Sequence, residues 1–253
     1  MTQPVPQARR RPLRFWLVTL AAAAGIAATL SLGSWQLSRA AQKQALQAAI
    51  DARQAMAVLD NLSLASLAQP GADLHRPVRL RGEWVAQHTV FLDNRQMHGR
   101  PGFYVLTPLR LQGTATTVVV QRGWVPRNFM DRERLPPVET PAGTVELSGR
   151  VAAAPARLFE PGSSAHPGEG SSAIRQNLDL AVFGAEARLA LLPFTVVETG
   201  AASQGLQRDW PRVAADTGKH YGYAFQWFGL SALVAILYVW FQFIAPRRKA
   251  RGS

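Results

Sequence analysis

The sequence predicts a membrane protein of mixed α and β structure, with two transmembrane helices flanking a β-rich domain, an antiparallel sandwich or small barrel with one covering helix. Three observations predict it. Residues 221–245 form an uncharged apolar run of about 25 residues, long enough as a helix to cross a hydrocarbon core of roughly 30 Å. Residues 15–32 form a second unbroken apolar run. Between the two, from Arg76 onward, hydrophobicity alternates with period two and β-formers dominate.

In chain order, residues 1–14 are rich in Pro and Arg without apolar periodicity and read as a basic tail. The first span covers 15–33. Within it Ala21, Gly25, Thr29 and Gly33 recur at every fourth position, the small-residue spacing that lets another helix approach closely, and the Gly222/Gly229 face of the last run is the expected partner. The run shares a basic lead and internal Ala-x-Ala sites with cleaved signal peptides. It exceeds their usual apolar stretch of about 7–15 residues, however, and a helical pattern continues past it, which favours an uncleaved anchor. Trp35 sits where an interfacial aromatic belongs. Arg39 and Lys43 follow at i, i+4, facing lipid headgroups or an anionic ligand. A helical extension is expected over 34–60, stopping at Asp60-Asn61.

Strands are expected at 78–81, 88–92, 103–111, 116–124, 144–151 and 194–198, with turns at 94–102, 112–113 and 136–137. A Gly/Ser/Pro loop covers 163–172, and Asp179 caps a helix over 180–192 that Pro193 closes. The organisation is thus an outer domain over 34–219 with its β-rich core at 76–199, a second span over 220–245 and a basic tail over 246–253.

Basic residues lie outside both spans, with Arg9, Arg10, Arg11 and Arg14 at one end and Arg247, Arg248, Lys249 and Arg251 at the other. The positive-inside rule places both termini in the cytoplasm and 34–219 across the membrane, in a bacterial periplasm. In a mitochondrion this would be the intermembrane space, but the leading tail is too short for an ordinary presequence followed by an anchor. Those eight residues carry most of the formal charge of +12, so the interior is nearly balanced and a nucleic-acid partner is not expected. With 253 residues, 47% apolar and 17% charged, the chain has room for one compact domain besides its spans. The absence of cysteine removes disulfides, thiolate zinc sites and iron–sulfur clusters together.

The interior offers little chemistry. His75, His88, His98, His166 and His220 are widely separated and show no metal-ligand spacing. Ser164 and His166 lack the strand-to-helix elbow and orienting acid of a hydrolase. Neither a phosphate-cradling Gly loop nor a dinucleotide fingerprint occurs. Arg95, Arg100, Arg122 and Arg127 read as a solvated rim able to meet carboxylates, and Trp84 and Trp124 as core or barrel-mouth aromatics. In the last run, at about 100° per residue, His220, Tyr223, Trp227, Ser231 and Tyr238 share one stripe, and Gly222 and Gly229 lie opposite. The residues alone leave two readings open: a site for a flat amphipathic ligand, or an interfacial aromatic belt with His220 hydrated beside it.

Five blocks in this order resemble the Surfeit locus protein one family: Leu32-Gly33-Ser34-Trp35-Gln36-Leu37-Ser38-Arg39, Arg76-Pro77-Val78-Arg79-Leu80-Arg81-Gly82-Glu83-Trp84, Gly102-Phe103-Tyr104-Val105-Leu106-Thr107-Pro108, Arg122-Gly123-Trp124-Val125-Pro126 and Lys219-His220-Tyr221-Gly222-Tyr223-Ala224-Phe225-Gln226-Trp227-Phe228. The resemblance covers nearly the whole chain. It implies a non-enzymatic assembly factor of cytochrome c oxidase that receives haem a, working between haem a synthase and the catalytic oxidase subunit. His220 matches the family's proposed axial ligand to the haem iron. Tyr223 and Trp227 would then pack on the porphyrin, and Arg39 and Lys43 would pair with its propionates. The alternative is a structural scaffold that holds an oxidase intermediate and touches no haem.

Overall fold

The 12-residue strand β3 (Arg100–Leu111) is the wall on which the β-rich part of the chain is built, because one of its edges serves two strands. Its first half pairs with β2 (Val90–Met97) and its last residues with β1 (Pro77–Trp84), while the other edge pairs with β4 (Thr117–Pro126). β1 also pairs with β5 (Thr144–Ala152), β5 with β7 (Leu191–Glu198), and β7 with β4. The strands β1, β5, β7, β4 and β3 therefore close a ring, a small barrel, and β2 with the short β6 (Ile174–Arg175) extends from it.

The structure is a computed structural model, and it describes residues 12–128, 130–131, 135–158, 173–211 and 217–251. The expected loop at 163–172, with Ser164 and His166, and nearly all of the leading basic tail lie outside the described residues. Two compact units are present, one comprising Met1–Gln47 with Val213–Ser253 and the other Ala48–Arg212.

The barrel replaces the sandwich alternative, and its pairing is not purely antiparallel: β4–β7 and β2–β6 are parallel. A parallel pair needs a long crossover, and between β4 and β7 the chain travels through β5 and the helix α3 (Leu180–Ala187). β4 is buried on both faces, which explains its nearly continuous apolar run. Val118 and Val120 join Leu80, Leu109, Leu147 and Phe194 in one core cluster, while Val119 packs with Leu106, Leu180 and Phe183 in another. At about 25 cal/mol per Å² of apolar area removed from water, such burial is the main stabilising term.

Several expected boundaries move. The helix expected at 180–192 stops at Ala187, where Arg188 takes a left-handed conformation (φ 54°) and Leu189 N–H donates to the Gly184 carbonyl. Pro193 then lies within β7, where the register with β4 slips between Thr117 and Val119 and no regular ladder bond is required of it. The turn expected at 94–102 contracts to His98-Gly99, both at positive φ, because Asn94 is absorbed into β2 at a bulge. Asp179 does cap α3, accepting from the Ala181 and Val182 N–H groups.

Helix α1 (Leu13–Gln54) runs unbroken for 42 residues, about 63 Å at 1.5 Å per residue. It ends short of the expected stop because Asp60 caps a separate short helix, α2 (Asn61–Ala65), accepting from Ser63 N–H. Leu59 and Leu64 from this segment are buried in the barrel core, and Asn61 donates to the Arg81 and Gln112 carbonyls. The second long helix is α4 (Gly218–Val239), followed by a π-helical turn at Trp240–Ile244 and by α5 (Ala245–Arg251). Pro246 has no N–H to offer the preceding turn. The backbone adopts the wider spacing there, with Ala245 N–H donating to the Trp240 carbonyl.

His75 yields a pH prediction. It sits at φ 72°, its Nδ1 is 3.1 Å from the Arg150 guanidinium, and burial together with Arg150 and Arg53 lowers its pKa. A folded pKa below the unfolded value of about 6.5 means stability that is fully present above that pH and is lost as pH falls through the folded value. Urea unfolding of the full chain should show this loss, and His75→Asn, which tolerates the left-handed backbone, should flatten it. An unchanged slope in the variant would refute the assignment.

Candidate functional site

Helices α1 and α4 meet through small residues interspersed with polar ones. Up to Gln47 the buried positions on α1 are Thr29, Gly33 and Ala40, and on α4 they are Ala224 and Ser231. A Cβ built on Gly33 would lie 2.6 Å from the Phe228 ring, so only glycine admits the ring at this distance. Polar contacts that cross the pair among the described residues include Gln36 Oε1 to His220 Nδ1 at 2.7 Å, Thr19 Oγ1 to Tyr238 OH at 2.8 Å, and Tyr221 OH donating to Gln44 Oε1 at 3.4 Å. From Thr19–Tyr238 through Gly33–Phe228 to Gln36–His220, residue numbers rise on α1 as they fall on α4, so the helices run antiparallel. Thr19 and Thr29 also donate to carbonyls one turn back in α1, which satisfies their hydroxyls inside an apolar helix.

This corrects the face expected to pack. Gly222 and Gly229 have nothing within 4 Å of a built Cβ and are exposed, and a Cβ on the half-buried Gly25 likewise meets nothing within 4 Å. The stripe bearing His220, Ser231 and Tyr238 faces α1 instead. The physical reason is that hydroxyl and imidazole groups in an apolar setting need partners, whereas a smooth glycine face does not.

The other expected site residues distribute around this seam. Trp227 is half-buried, and Tyr223 is 51% exposed on the flank of the stripe. Arg39 is exposed, with its guanidinium 5.7 Å from the Trp35 ring centroid and donating to Gln42, while Lys43 is exposed one turn further on. The structure joins His220 to Gln36 and places neither basic residue in a described contact with it. Gln36 was part of the resembling block, but no pattern in the sequence singles it out; only the pairing of the helices does.

The arginines expected at a solvated rim of the barrel unit separate into two groups. Arg100 is exposed and Arg127 is half-buried beside Asp93 at 3.4 Å. Arg122 is fully buried and Arg95 is 7% exposed. Arg122 donates to Thr140 Oγ1 (2.8 Å), the Glu139 carbonyl (2.6 Å) and Gln204 Oε1 (2.6 Å), and its guanidinium lies 4.7 Å from the Trp84 ring centroid. Arg208 donates to the Arg122 carbonyl and pairs with Glu198 at 2.8 Å. Burial raises the Glu198 pKa, opposed by Arg208 and Arg122. Arg95 donates to the Ala156 and Gln176 carbonyls, and Trp124, buried as expected, donates to the Arg95 carbonyl. These guanidinium groups hold loops onto the barrel, because five N–H donors on one planar group can satisfy several carbonyls at once.

Two helices long and apolar enough to cross a membrane, one toward each end of the chain and joined by polar contacts, with a small β-barrel between them in sequence, define a class of protein consistent with membrane anchoring. The profile of the SURF1 family matches residues 23–232, from inside α1 to inside α4, and the chain belongs to that family. The family is in general one of cytochrome oxidase assembly factors. A SURF1-like protein of Rickettsia felis is 26% identical over 218 residues, covering 83% of this chain and 90% of that protein. A SURF1-like protein of Monosiga brevicollis is 30% identical over 132 residues, or 49% of this chain; the match spans about half of that relative, 48% of its length.

Two predictions follow from this geometry. Gly33→Leu should weaken the helix pair by about 1–3 kcal/mol through overpacking against Phe228, while Gly229→Leu should stay within about 0.5 kcal/mol of the parent. Thermal unfolding in detergent measures both, and equal effects would remove the proposed seam. In the barrel, Arg122→Met should cost about 3 kcal/mol or more by stranding buried acceptors, with Arg122→Lys intermediate because it keeps charge without the fork. Urea unfolding followed by tryptophan fluorescence reads this, and a loss under about 0.5 kcal/mol for Met would contradict it.

Proposed function

We propose that this chain is a non-enzymatic assembly factor for cytochrome c oxidase, anchored in a bacterial inner membrane, that receives haem a and helps place it in the catalytic subunit. Family membership supports the oxidase assembly role. In this reading α1 and α4 cross the bilayer, both termini are cytoplasmic, and the barrel is periplasmic. The basic chain ends and the apolar outer faces of the helices support it, with Leu20 65%, Phe225 80% and Ile236 64% exposed. Haem a synthase is the proposed donor and the catalytic oxidase subunit the proposed recipient.

The observation that carries the haem reading is the state of His220. Its ring is half-buried at the start of α4, Nδ1 is engaged by Gln36, and no hydrogen bond to Nε2 occurs among the described residues. An imidazole nitrogen suits haem iron, and the exposed Tyr223 ring and the half-buried Trp227 beside it offer aromatic surface to a porphyrin, so the residues present fit the group. When bound, haem a supplies the iron. The chain would supply the His220 imidazole nitrogen to the iron, ring contacts from Tyr223 and Trp227 and, from Arg39 and Lys43, positive charge for the propionates.

A scaffold reading has one observation in its favour: His220 is already used in holding the two helices together. An optical spectrum of detergent-purified protein from haem-a-producing cells separates the two. A Soret band that His220→Ala abolishes or strongly shifts, at near-normal protein level, is the expected result. Full haem occupancy with an unchanged spectrum in His220→Ala would overturn the ligand assignment, and a haem-free parent would leave the scaffold.

A further inference from the structure

We infer that Gln36 is a positioning residue for His220: it fixes the proton on Nδ1 and thereby presents the Nε2 lone pair as the only nitrogen free to ligate. The inference deepens the haem reading above and rests on it for its use, though the geometry stands by itself. The Gln36 Oε1 atom lies 2.7 Å from His220 Nδ1. An amide oxygen carries no proton, so a hydrogen bond at this distance requires Nδ1–H as donor. In a neutral imidazole the other nitrogen is then bare, which is the state a metal ligand needs.

The surroundings hold this pair in register. One turn before Gln36 is Gly33, against which the Phe228 ring packs, and one turn after it is Ala40, fully buried. One turn after His220 is Ala224, 2% exposed. Small residues on both sides keep the backbones close, and the Tyr221 contact to Gln44 adds a second polar tie beyond the first. The ring therefore cannot turn about its axis without losing the Gln36 bond, and Gln36 does for His220 what an outer-shell carbonyl or carboxylate does for a metal-bound histidine.

The test uses full-length protein in detergent, with histidine labelled by nitrogen-15 and the His220 signals assigned by their loss in His220→Ala. Expected at alkaline pH is a protonated Nδ1 and an unprotonated Nε2 in the parent, retained in Gln36→Glu and shifted toward the Nε2–H form in Gln36→Leu. A parent that already carries its proton on Nε2 overturns the inference without any variant, as does a Gln36→Leu spectrum identical to the parent. Haemin titration is the second arm: affinity should fall about 10–100-fold in Gln36→Leu and recover in Gln36→Glu. Should the tautomer respond to Gln36 while the parent binds neither haemin nor haem a, the positioning role stands and the haem reading fails.

Discussion

His220 places an imidazole on a helix whose exposed surface is largely Phe, Leu and Ile, and the organisation of the helix pair follows from the need to partner it. A polar group removed from water costs several kcal/mol unless something replaces the lost hydrogen bonds. Gln36 meets that need at one end of the seam and Thr19 meets it for Tyr238 at the other. Close approach between these points is possible because Gly33, Ala40 and Ala224 are small. In this arrangement the His220 imidazole is itself part of what holds the helices together.

The same constraint operates inside the barrel unit with different chemistry. Arg122 and Arg95 are buried cations, and each is accommodated because its guanidinium reaches backbone carbonyls of irregular segments that no strand satisfies. Glu198 and Arg208 extend the Arg122 cluster along the end of β7. The role of these residues is therefore to fasten loops to a closed ring of strands. A surface for capturing carboxylate ligands would need the guanidinium groups free, and these are engaged.

Much of the architecture is legible in residue order because it depends on local periodicity. The two apolar runs, the switch to period two at Arg76, and the Asp179 cap each report a preference that acts within a few residues. Boundaries are less legible where two local signals compete. Pro193 reads as the end of a helix, yet it sits in a strand at a register slip, since the tertiary pairing of β7 with β4 removes the need for its missing N–H. Asn94 reads as a turn for the same local reason and is taken up as a bulge. Arg122 within β4 and Arg100 at the start of β3 are the same residue type, and residue type alone does not distinguish the buried one from the exposed one.

By itself, then, the sequence determined the existence of two long apolar helices, a β-rich domain between them, the stripe that groups His220 with Ser231 and Tyr238, and membership of the family. These depend on composition, spacing and block order along one chain. Only the tertiary structure decided that the strands close into a barrel through the three-residue contact of β3 with β1, and that the polar stripe, rather than the glycine face, meets α1. It also decided that the partner of His220 is Gln36, 184 positions away. The physical reason is that each of these is a choice between partners distant in sequence, made by which pairing leaves the fewest buried polar groups unsatisfied, and no local pattern encodes that comparison.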